Sequence, residues 1–243
     1  MLLDAVTILE RGDVSGNDMP LRFRLPSGLE ILGLPTRNYN EGDWDLGPTW
    51  NYLVLADRPF LVDTGRWGRT EQLVEMMKNY GIDPRDLDFI ILTHGHEDHD
   101  GGVGLLTRIS KAPVKAHRTY GRLIRMYPDE CPQGANPDFP AACWQCFMPR
   151  EWTDKHCVAY HRERADMPVD ELTDGTTEIA PGVTAVHTPG HNPDCLTIFV
   201  GDEAVLVGDT ILPQITPWPS SFCHMWRNSK IGMRTLPRAG SAR

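Results

Sequence analysis

A chain of 243 residues, 40% hydrophobic and 23% charged, carries enough apolar mass for one large core, which makes a single domain the expectation. Its formal charge of −9 argues against nonspecific binding to nucleic-acid phosphates, which needs clustered Lys and Arg, and no apolar run approaches the roughly 20 residues that span a bilayer. A soluble chain with a small-molecule partner, and with neither nucleic acid nor membrane, is expected.

Met1 to Glu10 has no basic n-region, and Asp4 interrupts its apolar residues, so no secretory signal is read and a cytoplasmic setting is expected. Tyr52–Leu55 and Phe60–Val62, joined by a turn at Ala56–Pro59, read as a hairpin of buried strands ending at Asp63-Thr64-Gly65. From Thr70 the period changes. Leu73, Met76, Met77 and Tyr80 form the stripe of an amphipathic helix, and Gly81 suits its C-terminal cap. Asp88–Leu92 is a short apolar run that leads straight into Thr93 and a histidine cluster, which places that cluster at the C-terminal end of a buried strand. Pro113–Ala116 reads as a strand and Thr119–Tyr127 as a helix, so the order is strand, helix, strand, helix and the fold class is layered α/β.

Residues 128–168 break this rhythm with six prolines among Trp, Cys and Phe: Pro128, Pro132, Pro137, Pro140, Pro149 and Pro168. They read as a loop-rich insertion with a short helix near Asp154–Arg164, either a lid beside the site or a cover over one sheet edge. Cys143 and Cys146, flanked by Cys131 and Cys157, could bind a structural zinc or remain buried thiols, and the sequence leaves both open. Strands resume at Thr176–Ile179, Val183–His187, Leu196–Val200 and Ala204–Val207, and the last pair forms a hairpin ending in Gly208-Asp209-Thr210.

Chemistry concentrates at residues 94–99. His94 and His96 alternate across Gly95, so in extended chain their rings share a side and can grip one cation. A turn into helix at Asp98 would swing Asp98 and His99 toward a second. Three imidazoles and two acids packed against an apolar strand end would otherwise repel or go unpartnered. His117, His156, His161, His187 and His224 lie in no motif and read as ordinary residues.

The run Thr93-His94-Gly95-His96-Glu97-Asp98-His99-Asp100-Gly101-Gly102 resembles the signature of the metallo-β-lactamase superfamily. Leu61–Gly65 upstream, and Thr188-Pro189-Gly190-His191 and Gly208-Asp209-Thr210 downstream, extend the resemblance over about residues 50–212. The resemblance implies a four-layer αββα sandwich. It assigns His94, His96 and His191 to one metal and Asp98 and His99 to a second, with Asp209 bridging and Asp63 orienting a ligand histidine. Zinc suits these nitrogen and oxygen donors, two ions being implied, with iron or manganese compatible. The implied activity is hydrolysis of an ester, thioester, lactone or lactam bond by metal-activated water, with Asp98 steering its proton.

The chain departs from the family after Asp209. The family supplies one further histidine on a later strand, whereas here His224 follows too soon to match. Every one of the 33 acidic residues lies at or before Asp209, leaving Arg227, Lys230, Arg234, Arg238 and Arg243 in the remainder. Residues 1–212 are therefore expected to form the domain and 213–243 a divergent or truncated tail, with the second metal site incomplete. Two alternatives follow: a mononuclear iron enzyme like the sulfur dioxygenases, or an inactive family member. Pocket selectivity is expected in residues 34–50 and 128–168, with Trp44, Trp50, Trp144 and Trp152 as pocket walls or core filling.

Overall fold

The computed structural model describes residues 5–38, 47–121, 160, 163, 164 and 167–210. The cysteines at 131–157, most of the insertion, Trp44, Trp144, Trp152, and the segment from 211 with His224 fall outside these residues. Among the described part of the insertion, Tyr160, Glu163 and Arg164 are helical, in keeping with the short helix read there.

Two β-sheets face each other. The larger runs in chain order through β1 (Val6–Ile8), β2 (Leu21–Arg24), β3 (Glu30–Arg37), β4 (Pro48–Val54), β5 (Phe60–Val62), β6 (Phe89–Ile91), β7 (Val114–His117) and β8 (Val169–Leu172). Its first five strands pair antiparallel and β5 to β8 pair parallel. The smaller sheet is an antiparallel meander of β9 (Thr176–Ala180), β10 (Val183–His187), β11 (Leu196–Val200) and β12 (Ala204–Leu206). Helices α1 (Thr70–Asn79), α2 (Glu97–Asp100) and α3 (Val103–Ser110) connect the parallel strands.

The period-two alternation of strand side chains sorts two cores. Leu32, Leu34, Leu53, Leu61 and Ile90 face α1 and α3, where Leu73, Met77, Val103 and Leu106 meet them. Their neighbours Ile31, Val54, Phe60, Val62, Phe89 and Ile91 point the other way, against Val183, Ala185, Leu196, Ile198 and Val200 of the smaller sheet. The helix, sheet, sheet layers of the expected αββα sandwich thus lie within the described residues. Gly81 takes φ +86 and donates to the Lys78 carbonyl at 3.0 Å, which ends α1 where the sequence pattern stops.

Strands β1, β2, β3 and β8 have no counterpart in the sequence reading. Glu30–Arg37 holds Gly33 and Pro35 within its apolar run, and both discount a strand assignment. Pairing with β4 over its whole length overrides that local bias, with Pro35 opposite Trp50.

Because Ile90 is fully buried in the central parallel strand, Ile90→Ala should cost ~2–5 kcal/mol of unfolding free energy. Urea denaturation reads this directly; an unchanged midpoint would contradict the placement.

Candidate metal centre

The C-terminal ends of the parallel strands open onto one place. Asp63 follows β5, His94 to His99 follow β6, His191 sits in the loop between β10 and β11, and Asp209 lies in the single helical turn Gly208–Thr210 after β12. The Leu196 amide donates to the Thr93 carbonyl at 2.7 Å, so the two sheets are stitched together beside the histidines. The Thr188 hydroxyl meets those of Thr197 at 2.9 Å and Thr210 at 3.2 Å, which holds the His191 and Asp209 loops to each other.

Six side chains converge. His96 Nδ1 lies 3.1 Å from His94 Nε2 and 2.8 Å from His191 Nε2. Asp209 reaches His99 Nε2 at 3.2 Å through Oδ1 and His191 Nε2 at 3.3 Å through Oδ2. Asp98 Oδ2 lies 3.7 Å from His99 Nε2. The donor atoms of His94, His96 and His191, and those of His94, His99 and Asp209, each fall within 4.8 Å of one another, and His94 belongs to both groups. Each residue expected from the sequence is brought to this cluster, although Asp98 reaches it only through its neighbour His99.

Hydrogen bonding decides which ring nitrogens face inward. Asp63 Oδ1 accepts the Thr93 amide at 2.7 Å, and its Oδ2 accepts the Thr93 hydroxyl at 2.7 Å. With that hydroxyl proton spent on Asp63, the Thr93 oxygen is left to accept from His94 Nδ1 at 3.1 Å. His94 therefore turns an Nε2 lone pair into the site. Asp63 Oδ2 also accepts from His99 Nδ1 at 2.8 Å, which turns His99 Nε2 toward Asp209 in the same way. Inward lone pairs facing one another and two carboxylates are the chemistry of a cation site, and the donor set fits zinc. Burial, with the neighbouring His99, His96 and His191, pushes His94 well below its ordinary value, which keeps its lone pair free. Burial also opposes charge on His99, yet Asp98, Asp209 and Asp63 outweigh it and raise its value well above the ordinary one.

The local fold explains the signature's spacing. Helix α2 is one turn long and begins after His96 in extended backbone, so Asp98 and His99 fall in its single turn. The Thr64 amide donates to the His99 carbonyl at 2.7 Å, and Gly102 to the Gly65 carbonyl at 3.2 Å, so the Asp63-Thr64-Gly65 loop clamps the helix. A Cβ on Gly101 would sit 2.0 Å from the Trp67 nitrogen, and one on Gly102 would sit 2.4 Å from the Thr64 oxygen. Only glycine permits that approach.

Behind α2, fully buried Asp100 accepts from Tyr120 at 2.9 Å and from Tyr160 at 2.5 Å, and pairs with Arg164. The Arg164 guanidinium stacks 3.7 Å over the Tyr160 ring. Two residues of the insertion are thereby fastened to the helix that carries His99, a role that sequence reading missed.

A further cluster joins His117, Asp174 and His187 at the ends of β7 and β10. The two rings stack with centroids 3.7 Å apart and 8° between planes. Imidazole lone pairs lie in the ring plane, so parallel stacked rings cannot both point at one ion. Asp174 instead accepts from His117 Nε2 at 3.0 Å and from Arg118 at 2.6 Å, as a clasp between the sheets. These two histidines, read from sequence as ordinary, are structural partners.

Asp194, on the His191 loop, is buried without a well-formed hydrogen bond among the described residues and lies against Gly95. Burial raises its carboxyl to about 7, with Asp100 adding to the effect.

Two outcomes follow. Asp63→Asn removes the acceptor that sets two tautomers, and competition titration with a chelator should show about 10–100-fold weaker zinc binding. A carboxyl raised from roughly 3.9 unfolded to about 7 folded stabilises most below the lower value. That contribution is lost as pH rises through about 7, so thermal midpoints of wild type and Asp194→Asn should diverge between acid and pH 8, with the variant flatter. Parallel curves would contradict the burial argument.

Known proteins resemble this chain. The chain is 27% identical over 180 residues to the N-acyl homoserine lactonase AiiA of Bacillus thuringiensis subsp. kurstaki, covering 64% of this chain and 59% of that protein. It is 28% identical over 202 residues to the beta-lactamase-like protein 2 homolog of Drosophila melanogaster, covering 82% of this chain and 57% of that protein. The chain thus spans less than two thirds of the length of these relatives. Among solved structures, a Cronobacter sakazakii metallo-beta-lactamase variant superposes with a TM-score of 0.55 at 18% identity, covering 85% of this chain and 72% of that one. An N-acyl homoserine lactone hydrolase with N-hexanoyl-L-homoserine at its catalytic metal centre gives 0.52 at 21% identity, covering 85% of this chain and 84% of that one. Both share the fold. With a family model of the metallo-beta-lactamase superfamily matching residues 44–239, this chain belongs to that superfamily.

Proposed function

We propose that this chain is a metal-dependent hydrolase that holds two divalent cations, zinc foremost, and cleaves a cyclic or acyclic carboxylic ester bond, with a lactone the favoured substrate. The observation that carries this reading is the convergence of His94, His96, His99, His191, Asp98 and Asp209, with the tautomers of His94 and His99 turned inward. The lactonases among its relatives support the choice of bond.

In this reading His94, His96 and His191 hold one cation, and His99 and Asp98 the other. Asp209, whose two oxygens face His99 and His191, would serve both. Bound there, zinc would supply Lewis-acid polarisation of a carbonyl and acidification of water near neutral pH. The protein supplies the rest. Asp63 keeps two rings from rotating, and Asp98, whose side chain is 20% exposed, is the carboxylate placed to take and return a proton at the open face.

Metal counting with a hydrolysis panel of lactones, thioesters, esters and lactams tests the reading. Two zinc ions per chain and lactone turnover are expected, with His96→Ala and Asp209→Ala lowering the rate by orders of magnitude. One iron per chain would favour the dioxygenase alternative, and metal uptake without turnover would favour an inactive member. Either result would overturn the proposal.

A further inference from the structure

We propose that Asn38 and Thr49 are positioning residues that aim the Asp98 carboxylate at the second cation, an inference that rests on the metal reading above. Asp98 Oδ2 accepts from Asn38 Nδ2 at 2.9 Å and from the Thr49 hydroxyl at 3.0 Å. Neither donor belongs to the signature loop. Asn38 lies just past the end of β3 and Thr49 is the second residue of β4, so neighbouring strands of the larger sheet, in register at Arg37 and Pro48, reach over to one oxygen of α2.

The grip is itself fixed. Asn38 Oδ1 accepts from Arg66 Nη1, which leaves the amide only one way round and sends its Nδ2 toward Asp98. Arg66 Nη2 lies 3.4 Å from Glu97 Oε2, with the two side chains only 11% and 4% exposed. Glu97 Oε1 in turn accepts the Trp67 amide at 3.0 Å. Glu97 and Asp98 are the first two residues of α2, so the chain of contacts closes on the helix from which it started.

An aspartate's second side-chain torsion is broad, and Asp98 would otherwise sample orientations that miss the cation. Both donors hold Oδ2, the oxygen that lies 3.7 Å from His99 Nε2, so they fix the carboxylate beside that ring. The amide and the hydroxyl act through Asp98 and supply no donor atom of their own.

The test uses the whole chain stripped of metal, titrated with zinc against a chromophoric chelator and with cobalt(II) by its visible absorption. In Thr49→Val and Asn38→Leu the weaker zinc step should lose about 10–100-fold in affinity and the weaker cobalt band should change, while the tighter step holds. Thr49→Ser, which restores a hydroxyl, should recover the wild-type titration. Variants that bind both ions as wild type does would overturn the positioning role alone. So would equal weakening of both steps in proportion to a lowered apo-protein melting temperature, the signature of a purely structural effect. A wild-type chain that takes up no zinc or cobalt would overturn the metal reading and this inference together. Should Thr49→Val fail to fold, half-buried Asn38 carries the test.

Discussion

Asp63 is 1% exposed, and three donors balance it: the Thr93 amide, the Thr93 hydroxyl and His99 Nδ1. Unpaired, a buried carboxylate is costly. Paired in this way, it determines the tautomer of His99 directly and that of His94 through Thr93. Its backbone takes φ +63, a conformation that non-glycine residues adopt seldom and aspartate more readily than most. The turn after β5 is therefore bent to bring this one group under the histidine loop. Without it the rings of His94 and His99 would lose the partners that set their orientation.

Around that carboxylate the fold supplies rigidity from several directions. Helix α2 is too short to be stable alone. It persists because the Asp63-Thr64-Gly65 loop binds its backbone, glycines let that loop approach, and Asp100 roots it in a buried cluster of Tyr120, Tyr160 and Arg164. Burying an ion pair gains little net stability by itself, whereas removing one member leaves a charge stranded. The pair consequently acts as a constraint on geometry. It ties Arg164, distant in sequence, to the helix bearing His99. Asn38 and Thr49 apply a similar constraint to Asp98 from the sheet side.

Much of the site was legible in the sequence. The histidine cluster at 94–99, the strand before it, the amphipathic helix to Gly81 and the four strands β9 to β12 follow from period, punctuation and residue chemistry. Strands β1 to β3 were not legible, because Gly33 and Pro35 weaken the local pattern that pairing with β4 restores. Asn38, Thr49, Arg66, Arg164 and the clasp of His117, Asp174 and His187 carried no signal either. Each is a single polar residue whose partner lies in another element, and no spacing rule connects them.

The chain's own order of residues supplied the candidate donors: short-range alternation brought His94 and His96 together, and the turn into α2 carried Asp98 and His99. Tertiary structure decided everything that depends on distance across the fold: that His191 and Asp209 arrive from the second sheet, which nitrogen each ring presents, and which oxygen of Asp98 is held. The division has a plain cause. Backbone periodicity is a local property that a few consecutive residues specify. A ring's protonated nitrogen or a carboxylate's aim is set instead by hydrogen-bond partners that only the packed sheets bring within 3 Å or so.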